Sequence, residues 1–472
     1  MVWKFNDFSD NVALIDELGH KILYKELEEN GANLSDEIGE RCLVFSLCTN
    51  SIGSIIGYTA FINHGIVPAL LNSNLEQELL FELIEQYKPK YIWMPKEKKD
   101  VWDYEIVYEL FDYILVKTKF ESLYEINDEL ALLLTTSGST GSPKFVRQSY
   151  ENIKVNAESI VEYLEIDKDE RPITTLPMNY TYGLSIINSH LLVGATILLT
   201  EKAITQKEFW QFFKGEEATS FGGVPFTYEM LDRFRCLRME LPSLRYMTQA
   251  GGKLSPELHR KMAEYAQKNG KKFVVMYGQC EATARMGYLP AEKALEKCGS
   301  MGIAIPGGRF HLIDVNGKEI EKAHITGELV YEGANVTLGY AECVEDLAKG
   351  DERKGKLETG DMAQRDEEGF YYIVGRKKRF LKIFGNRVNL DEIDQLVKKE
   401  FNNIDFTSSG IDDHMYLFVV DAQMKEQVRE FVIKKTGLNP SAFTSVVIPE
   451  IPKTDAGKIK FKELDKYYIL EE

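Results

Sequence analysis

Two hydrophobic rhythms trade places along most of this chain. Short continuous apolar runs at residues 43–47, 67–71, 113–116 and 131–134 read as strands buried on both faces. Residues 54–62, 75–86 and 152–163 read as helices between or after them. The exchange continues with strands at 196–199, 220–222, 246–248 and 273–276, and with helices at 226–234 and 256–267. Strand–helix alternation of this kind predicts α/β layers with mainly parallel sheets. After about residue 300 the pattern changes. Short Gly-punctuated strands at 310–313, 328–331 and 370–374 follow, with Asn316-Gly317 and Glu368-Gly369 as hairpin turns. They predict a small β-rich subdomain closing a large α/β domain. A last helix pair follows. One begins near Leu390 with Asp391 and Glu392 in its first turn, where negative charge suits the helix dipole. The other spans 425–434, flanked by strands at 416–420 and 445–447. Roughly the last hundred residues therefore read as a small α+β domain.

Size and composition narrow the choices. A chain of 472 residues is expected to divide into at least two domains. Lys and Arg number 57 against 74 Asp and Glu, a formal net charge of −17. That balance argues against sequence-independent nucleic-acid binding, which rests on clustered cations. The six cysteines include no C-x-x-C pair and predict reduced thiols in a cytoplasmic protein. No basic segment followed by an apolar one opens the chain, so no signal peptide is expected. The most apolar long stretch, 52–71, is broken by Gly53, Gly57, Asn63, His64, Gly65 and Pro68, and predicts a buried helix and strand rather than a membrane span.

The first candidate chemistry leaves the strand at 131–134. Thr135, Thr136, Ser137, Gly138, Ser139, Thr140 and Gly141 lead through Ser142 and Pro143 to Lys144. Glycines let backbone approach a ligand closely, and N–H groups, hydroxyls and a lysine together make a phosphate cradle. The spacing is not that of a Walker loop, where Lys directly follows the second Gly. A Ser/Gly-rich surface turn is the alternative for this segment alone.

Four further motifs follow in order. A strand runs into Tyr277-Gly278-Gln279-Cys280-Glu281, an aromatic that can flank a purine and a carboxylate that can hold Mg²⁺. Thr359-Gly360-Asp361, with Arg376 further on, offers an acidic residue for two ribose hydroxyls. A basic glycine loop, Lys382-Ile383-Phe384-Gly385-Asn386-Arg387, precedes a helix. A Pro/Gly loop near the C-terminus presents Lys458. Taken singly, each also reads as a cap, a turn or exposed charge.

Taken together, in order and over nearly the whole chain, the five motifs resemble the AMP-forming adenylating enzymes: acyl-CoA synthetases, peptide-synthetase adenylation domains and firefly luciferase. Ala13-Leu14-Ile15-Asp16 and Leu23-Tyr24-Lys25-Glu26-Leu27 look like that family's opening hairpin and first helix. The resemblance implies a large N-terminal adenylation domain, 1–376, holding the ATP and acyl sites, and a small mobile C-terminal domain, 377–472, carrying the catalytic lysine. Residues Thr135 to Lys144 would hold the β- and γ-phosphates of ATP. Gly251 and Gly252 would line the adenine and acyl sites. Tyr277 and Gly278 would lie near adenine, with Cys280 towards the α-phosphate. Glu281 would bind Mg²⁺, and Asp361 and Arg376 the ribose. Lys458 would act at the bond being formed, Lys378 would be the hinge, and Lys382 and Gly385 would lie in the loop approaching the thiol. The implied reaction joins a carboxylic acid to AMP with release of pyrophosphate, then passes the acyl group to a thiol. That thiol is CoA or the phosphopantetheine of a separate carrier protein. A nucleotide-binding homologue without the chemistry is the third reading.

The chain departs from the pattern at informative places. Cys280 stands where the family usually has Thr, and a packing role is expected for it. Tyr180 stands where His is usual, and Gly183 where amino-acid-activating relatives carry Asp. Without that carboxylate an α-amino acid is not the expected substrate. Tyr180, Gly183, Phe226, Met247 and Gln249 are expected to shape the acyl pocket. Arg285 is left with two readings, a structural ion pair or a partner for a second acidic group on the substrate.

Overall fold

A computed structural model describes residues 2–101, 104–135, 144–383, 386–402, 404–411, 413–453 and 459–468. The chain divides into two compact units, 1–310 with 331–357, and 311–330 with 358–472.

The first unit holds two large mixed sheets. In the eight-stranded sheet, Val67–Asn72, Leu43–Cys48 and Tyr91–Pro95 run parallel, and Leu130–Thr135 lies parallel beside Val67–Asn72. The nine-stranded sheet is built around the parallel set Lys272–Tyr277, Tyr246–Gln249, Ser220–Gly223, Pro172–Ile173, Ile197–Leu199 and Val12–Asp16. The parallel core agrees with the apolar runs. The edges do not follow that rule, because hairpins extend them antiparallel: Phe145–Ser149 on Leu130–Thr135, Tyr113–Lys117 on Tyr91–Pro95, and Gly287–Tyr288 on Lys272–Tyr277.

Between the sheets run two helices that are buried all round. Every residue from Ile52 to Ile62 is buried in the helix Ile52–Asn63, and every residue from Thr181 to Leu191 in Thr181–Leu192. Their Ile55, Ile56, Leu184 and Ile187 join Leu14 and Ile197 from one sheet and Leu70, Leu132 and Leu134 from the other in a single core. The helix Tyr150–Leu164 starts sharply because Ser149 accepts from the Asn152 N–H while the Asn152 side chain accepts from the Ser149 N–H, a reciprocal cap. Ser255 caps Pro256–Lys268, with Pro256 where its missing N–H is harmless. Among the described residues no helix is long and apolar enough to cross a membrane.

The second unit contains the hairpin Phe380–Ile383 with Asn386–Asn389, the helices Leu390–Glu400 and Lys425–Thr436, and a sheet ordered Phe406–Ile411, His414–Val419, Phe443–Val447. Inside it Asp394 accepts from Arg379, Thr407 and Ser408, and a separate core of Leu390, Ile393, Val397, Phe406, Leu417 and Val428 forms.

Candidate active site

In the first unit the sequence-predicted residues gather where parallel strands end, the usual ligand-binding edge of an open α/β sheet. Thr135 is the last residue of Leu130–Thr135, and Lys144 directly precedes Phe145–Ser149. Thr136, Ser137, Gly138, Ser139, Thr140 and Gly141 lie outside the described residues. Tyr277 ends Lys272–Tyr277, with its ring 6.1 Å from that of Phe310. The chain then folds back so tightly that a side-chain carbon at Gly278 would stand 1.7 Å from the Ala284 carbonyl oxygen, so only glycine fits. This turn delivers Cys280, which is buried, and the half-buried Glu281.

Glu281 and Lys144 meet through a residue that sequence reasoning missed. The Tyr340 hydroxyl donates to Glu281 Oε1 at 2.6 Å. The Lys144 ammonium lies 3.8 Å from the centroid of the same ring, and the Arg353 guanidinium 4.6 Å from it. Arg353 and Thr337 also hold the backbone: the Glu281 carbonyl accepts from Arg353 Nη1 at 3.1 Å and from the Thr337 N–H and hydroxyl at 3.0 Å each. Burial, and then the negative charge of Glu281, push the Tyr340 phenol well above its ordinary range, so it stays a donor. The corner carries two cations against one carboxylate, which suits an anionic ligand. Tyr340 gave no motif, since its role depends on meeting Glu281, 59 positions away, and Lys144, farther still.

On the other side of the same turn lie the acyl-pocket candidates. Tyr180 is the residue before the helix Thr181–Leu192, and Thr181 ties that helix start to the turn by donating to the Thr283 carbonyl at 2.8 Å. Gly251 has φ +82°, and a side-chain carbon there would come within 2.6 Å of the Tyr180 hydroxyl. Burial, with Cys280 nearby, pushes the Tyr180 phenol up to about 12. Gln249 is fully buried and donates to the carbonyls of Ala250 and Gly252, while its Oε1 has no partner among the described residues. A buried acceptor without a donor is costly, so this oxygen is available to a bound molecule. At Gly183 a side-chain carbon would stand 2.4 Å from the Pro177 carbonyl oxygen. The missing Asp is thus excluded by backbone packing. Met247 is wholly buried in Tyr246–Gln249, whereas Phe226, near the start of Pro225–Arg233, is 59% exposed.

The second unit brings Asp361 and Arg376 together. They are register partners on Lys356–Arg365 and Tyr371–Arg376, and Arg376 Nε lies 2.6 Å from Asp361 Oδ1. Asp361 is almost fully buried and the Arg376 side chain largely exposed, so the carboxylate is fixed while the guanidinium keeps open donors. Lys378 sits in the short turn Lys377–Arg379, and Lys382 pairs in register with Arg387 in the hairpin. Gly385 and Lys458 lie outside the described residues.

A match to the AMP-binding enzyme family spans residues 2–341. The chain belongs to the AMP-binding enzyme family. Among curated relatives of this AMP-binding enzyme, oxalate–CoA ligase of Arabidopsis thaliana is 26% identical over 72% of this chain and 68% of that protein. Indoleacetate–CoA ligase of Aromatoleum aromaticum is 29% identical over 70% and 65%, and 4-hydroxybutyrate–CoA ligase 1 of Metallosphaera sedula 31% over 70% and 61%. The alignments thus span about two thirds of these relatives' own lengths. Among solved structures, O-succinylbenzoate coenzyme A synthetase from Bacillus subtilis in complex with AMP covers 97% of this chain and 96% of its own at 20% identity, with a TM-score of 0.76. ATP-bound MatB from Rhodopseudomonas palustris covers 98% and 97% at 22% identity, with a TM-score of 0.75. At these identities the shared property is the fold.

Proposed function

We propose that this AMP-binding enzyme is an acid–thiol ligase. It activates a small carboxylic acid with ATP to an acyl-adenylate, releases pyrophosphate, and transfers the acyl group to CoA. The observation that carries the reading is the junction of Lys144 and Glu281 on the Tyr340 ring, beside the strand ends.

The chemistry asks little of a general base, because a carboxylic acid is already ionised at neutral pH. The barrier is the approach of one anion to a phosphorus surrounded by others, so the protein contributes position and positive charge. Lys144 offsets charge on the departing phosphates, and Arg353 adds to the same field through Tyr340. The loop from Thr135 to Gly141 grips the β- and γ-phosphates. Glu281 is the residue that would hold Mg²⁺, which when bound offsets phosphate charge. Among the described residues no cluster of three or more His, Cys, Asp and Glu could cage a metal. One carboxylate suits an ion whose other ligands are phosphate oxygens and water. Tyr277, Gly278, Gly251 and Gly252 border the adenine, and Asp361 with Arg376 hold the ribose. Lys458 acts where the new bond forms. Tyr180, Gly183, Met247, Gln249 and Phe226 surround the acyl group, and Cys280 fills space near Tyr180.

The catalytic lysine belongs to a mobile small domain, 377–472, that hinges at Lys378, with Lys382 and Gly385 on the thiol side. A cytoplasmic location is supported by the six cysteines, none of which forms a disulfide.

The acceptor is CoA, because curated relatives with quite different acids share that word in their names. The test is AMP release across a panel of aliphatic, aromatic and dicarboxylic acids. CoA alone should accelerate it at least about tenfold. Acceleration only by a phosphopantetheine-bearing carrier protein would make this a carrier-loading enzyme instead.

A further inference from the structure

Three arginines are almost fully buried among the described residues, and two have carboxylate partners. Arg147 pairs with Glu352, and Arg379 with Asp391 and Asp394. The third, Arg285, is 3% exposed and meets only neutral groups. Its Nε donates to the Ser185 hydroxyl at 3.0 Å, its Nη1 contacts the Tyr163 hydroxyl and the Met276 sulfur at 3.0 Å each, and its guanidinium lies 5.2 Å from the centroid of the Tyr182 ring. Among the described residues it has neither an ion pair nor a hydrogen bond to a carbonyl. Arginine is rarely buried without an anion, because desolvating the charge is expensive. The structural ion pair that the sequence left open is therefore absent among the described residues.

The place is as telling as the lack of a partner. Arg285 closes the turn that carries Glu281, four residues earlier, so the two lie within about 14 Å along an extended backbone. The Tyr182 ring beside it reaches Thr248 through its hydroxyl at 2.8 Å, on the strand that ends at Gln249. Beside the guanidinium is a cavity of ≈ 10 Å³, bordered also by His190, Ser220, Tyr246 and Thr248. That is room for about one water and too little for a carboxylate as it stands. An entering anion must draw Arg285 off Ser185 and Tyr163, exchanging two hydrogen bonds to neutral hydroxyls for stronger ones to a charged acceptor.

We infer that the acid taken by this enzyme carries a second anionic group, a carboxylate or sulfonate, which Arg285 neutralises at the far end of the acyl pocket. This rests on the acid-activation reading and names its substrate class. The test is ATP–pyrophosphate exchange with acids matched in chain length, butyrate against succinate and valerate against glutarate, with the sulfonates of the same lengths alongside. The wild type should favour the dianionic members by about tenfold or more in kcat/KM. Arg285→Met should lower kcat/KM for the dianions by about 100-fold and reverse the preference, and Arg285→Lys should restore part of it. In the wild-type protein the dianions alone should raise the Tm in the presence of ATP, a reading that survives if Arg285→Met fails to fold. Exchange with monoanions but not dianions overturns this inference and leaves the ligase reading intact, as does an equal loss for both members in Arg285→Met. Silence with every acid overturns both.

Discussion

One tight turn, residues 278–285, carries a carboxylate in its first half and a guanidinium at its end, and the two ends are built differently. Glu281 is half-buried and held from several sides: Tyr340 donates to one carboxylate oxygen, Arg353 and Thr337 to its carbonyl, and Lys144 stands across the ring. Arg285 is buried and engaged only by neutral partners. The difference separates two tasks. A corner with organised, partly exposed charge can act on phosphates whatever acid is present. A buried charge without a counterion discriminates, because its cost is relieved only by the right ligand. On the proposed reading, reaction class and substrate choice are written at opposite ends of one loop.

The largest expected effect lies on the phosphate side. Lys458→Ala should slow acyl-adenylate formation by about 10²–10³ for every acid, with ATP binding and fold retained. A loss confined to some acids would move Lys458 to the discriminating end and break the comparison.

Next comes the acyl side. Gly183→Asp restores the carboxylate that amino-acid-activating relatives carry, yet its side chain must clear the Pro177 carbonyl. It should cost about 3 kcal/mol of stability in denaturant unfolding and bring no activity on amino acids. A stable variant that activates an amino acid would show that the pocket yields where the structure has it packed.

The cavity beside Arg285 has its own signature. Burial, and secondarily the Arg285 charge, hold the His190 imidazole down to about 4 from an ordinary 6.5. Native His190 is neutral, while the unfolded chain takes up a proton below about 6.5. This group therefore costs stability progressively as pH falls from about 6.5 to about 4, by about 3 kcal/mol in all. His190→Gln should flatten that part of the stability–pH curve, and an unchanged curve would place the imidazole in a wetter setting.

The smallest effect sharpens the engaged end. Tyr340→Phe should lower exchange only about tenfold, and it should raise the Mg²⁺ concentration needed for half-maximal rate, because Glu281 loses its donor. A fall in Tm with an unchanged Mg²⁺ requirement would reduce Tyr340 to packing.

The parallel strands were legible in the sequence because a strand buried on both faces reads as an unbroken apolar run, as at Leu130 to Leu134. The turn around Glu281 was legible because Gly278 is placed where backbone must pass closely. The helix Thr181–Leu192 was hidden because, buried all round like Ile52–Asn63 and without an amphipathic period, it also carries Asn188, Ser189 and His190 within its apolar run. Tyr340 was hidden because a lone tyrosine after glycine means nothing until the fold brings Glu281 and Lys144 to it. Arg285 was visible as a residue but not as an unmatched charge, since Ser185 and Tyr163 are 100 and 122 positions away. Local chemistry was readable; electrostatic balance depends on the whole fold.

Exchange of labelled pyrophosphate into ATP, measured without CoA, tests the central claim most directly. The site described here should catalyse exchange that depends on a carboxylic acid and needs no thiol, and adding CoA should then divert the acyl-adenylate to AMP and thioester. Exchange that proceeds without acid, or silence until a thiol is supplied, would contradict activation of the acid by adenylation.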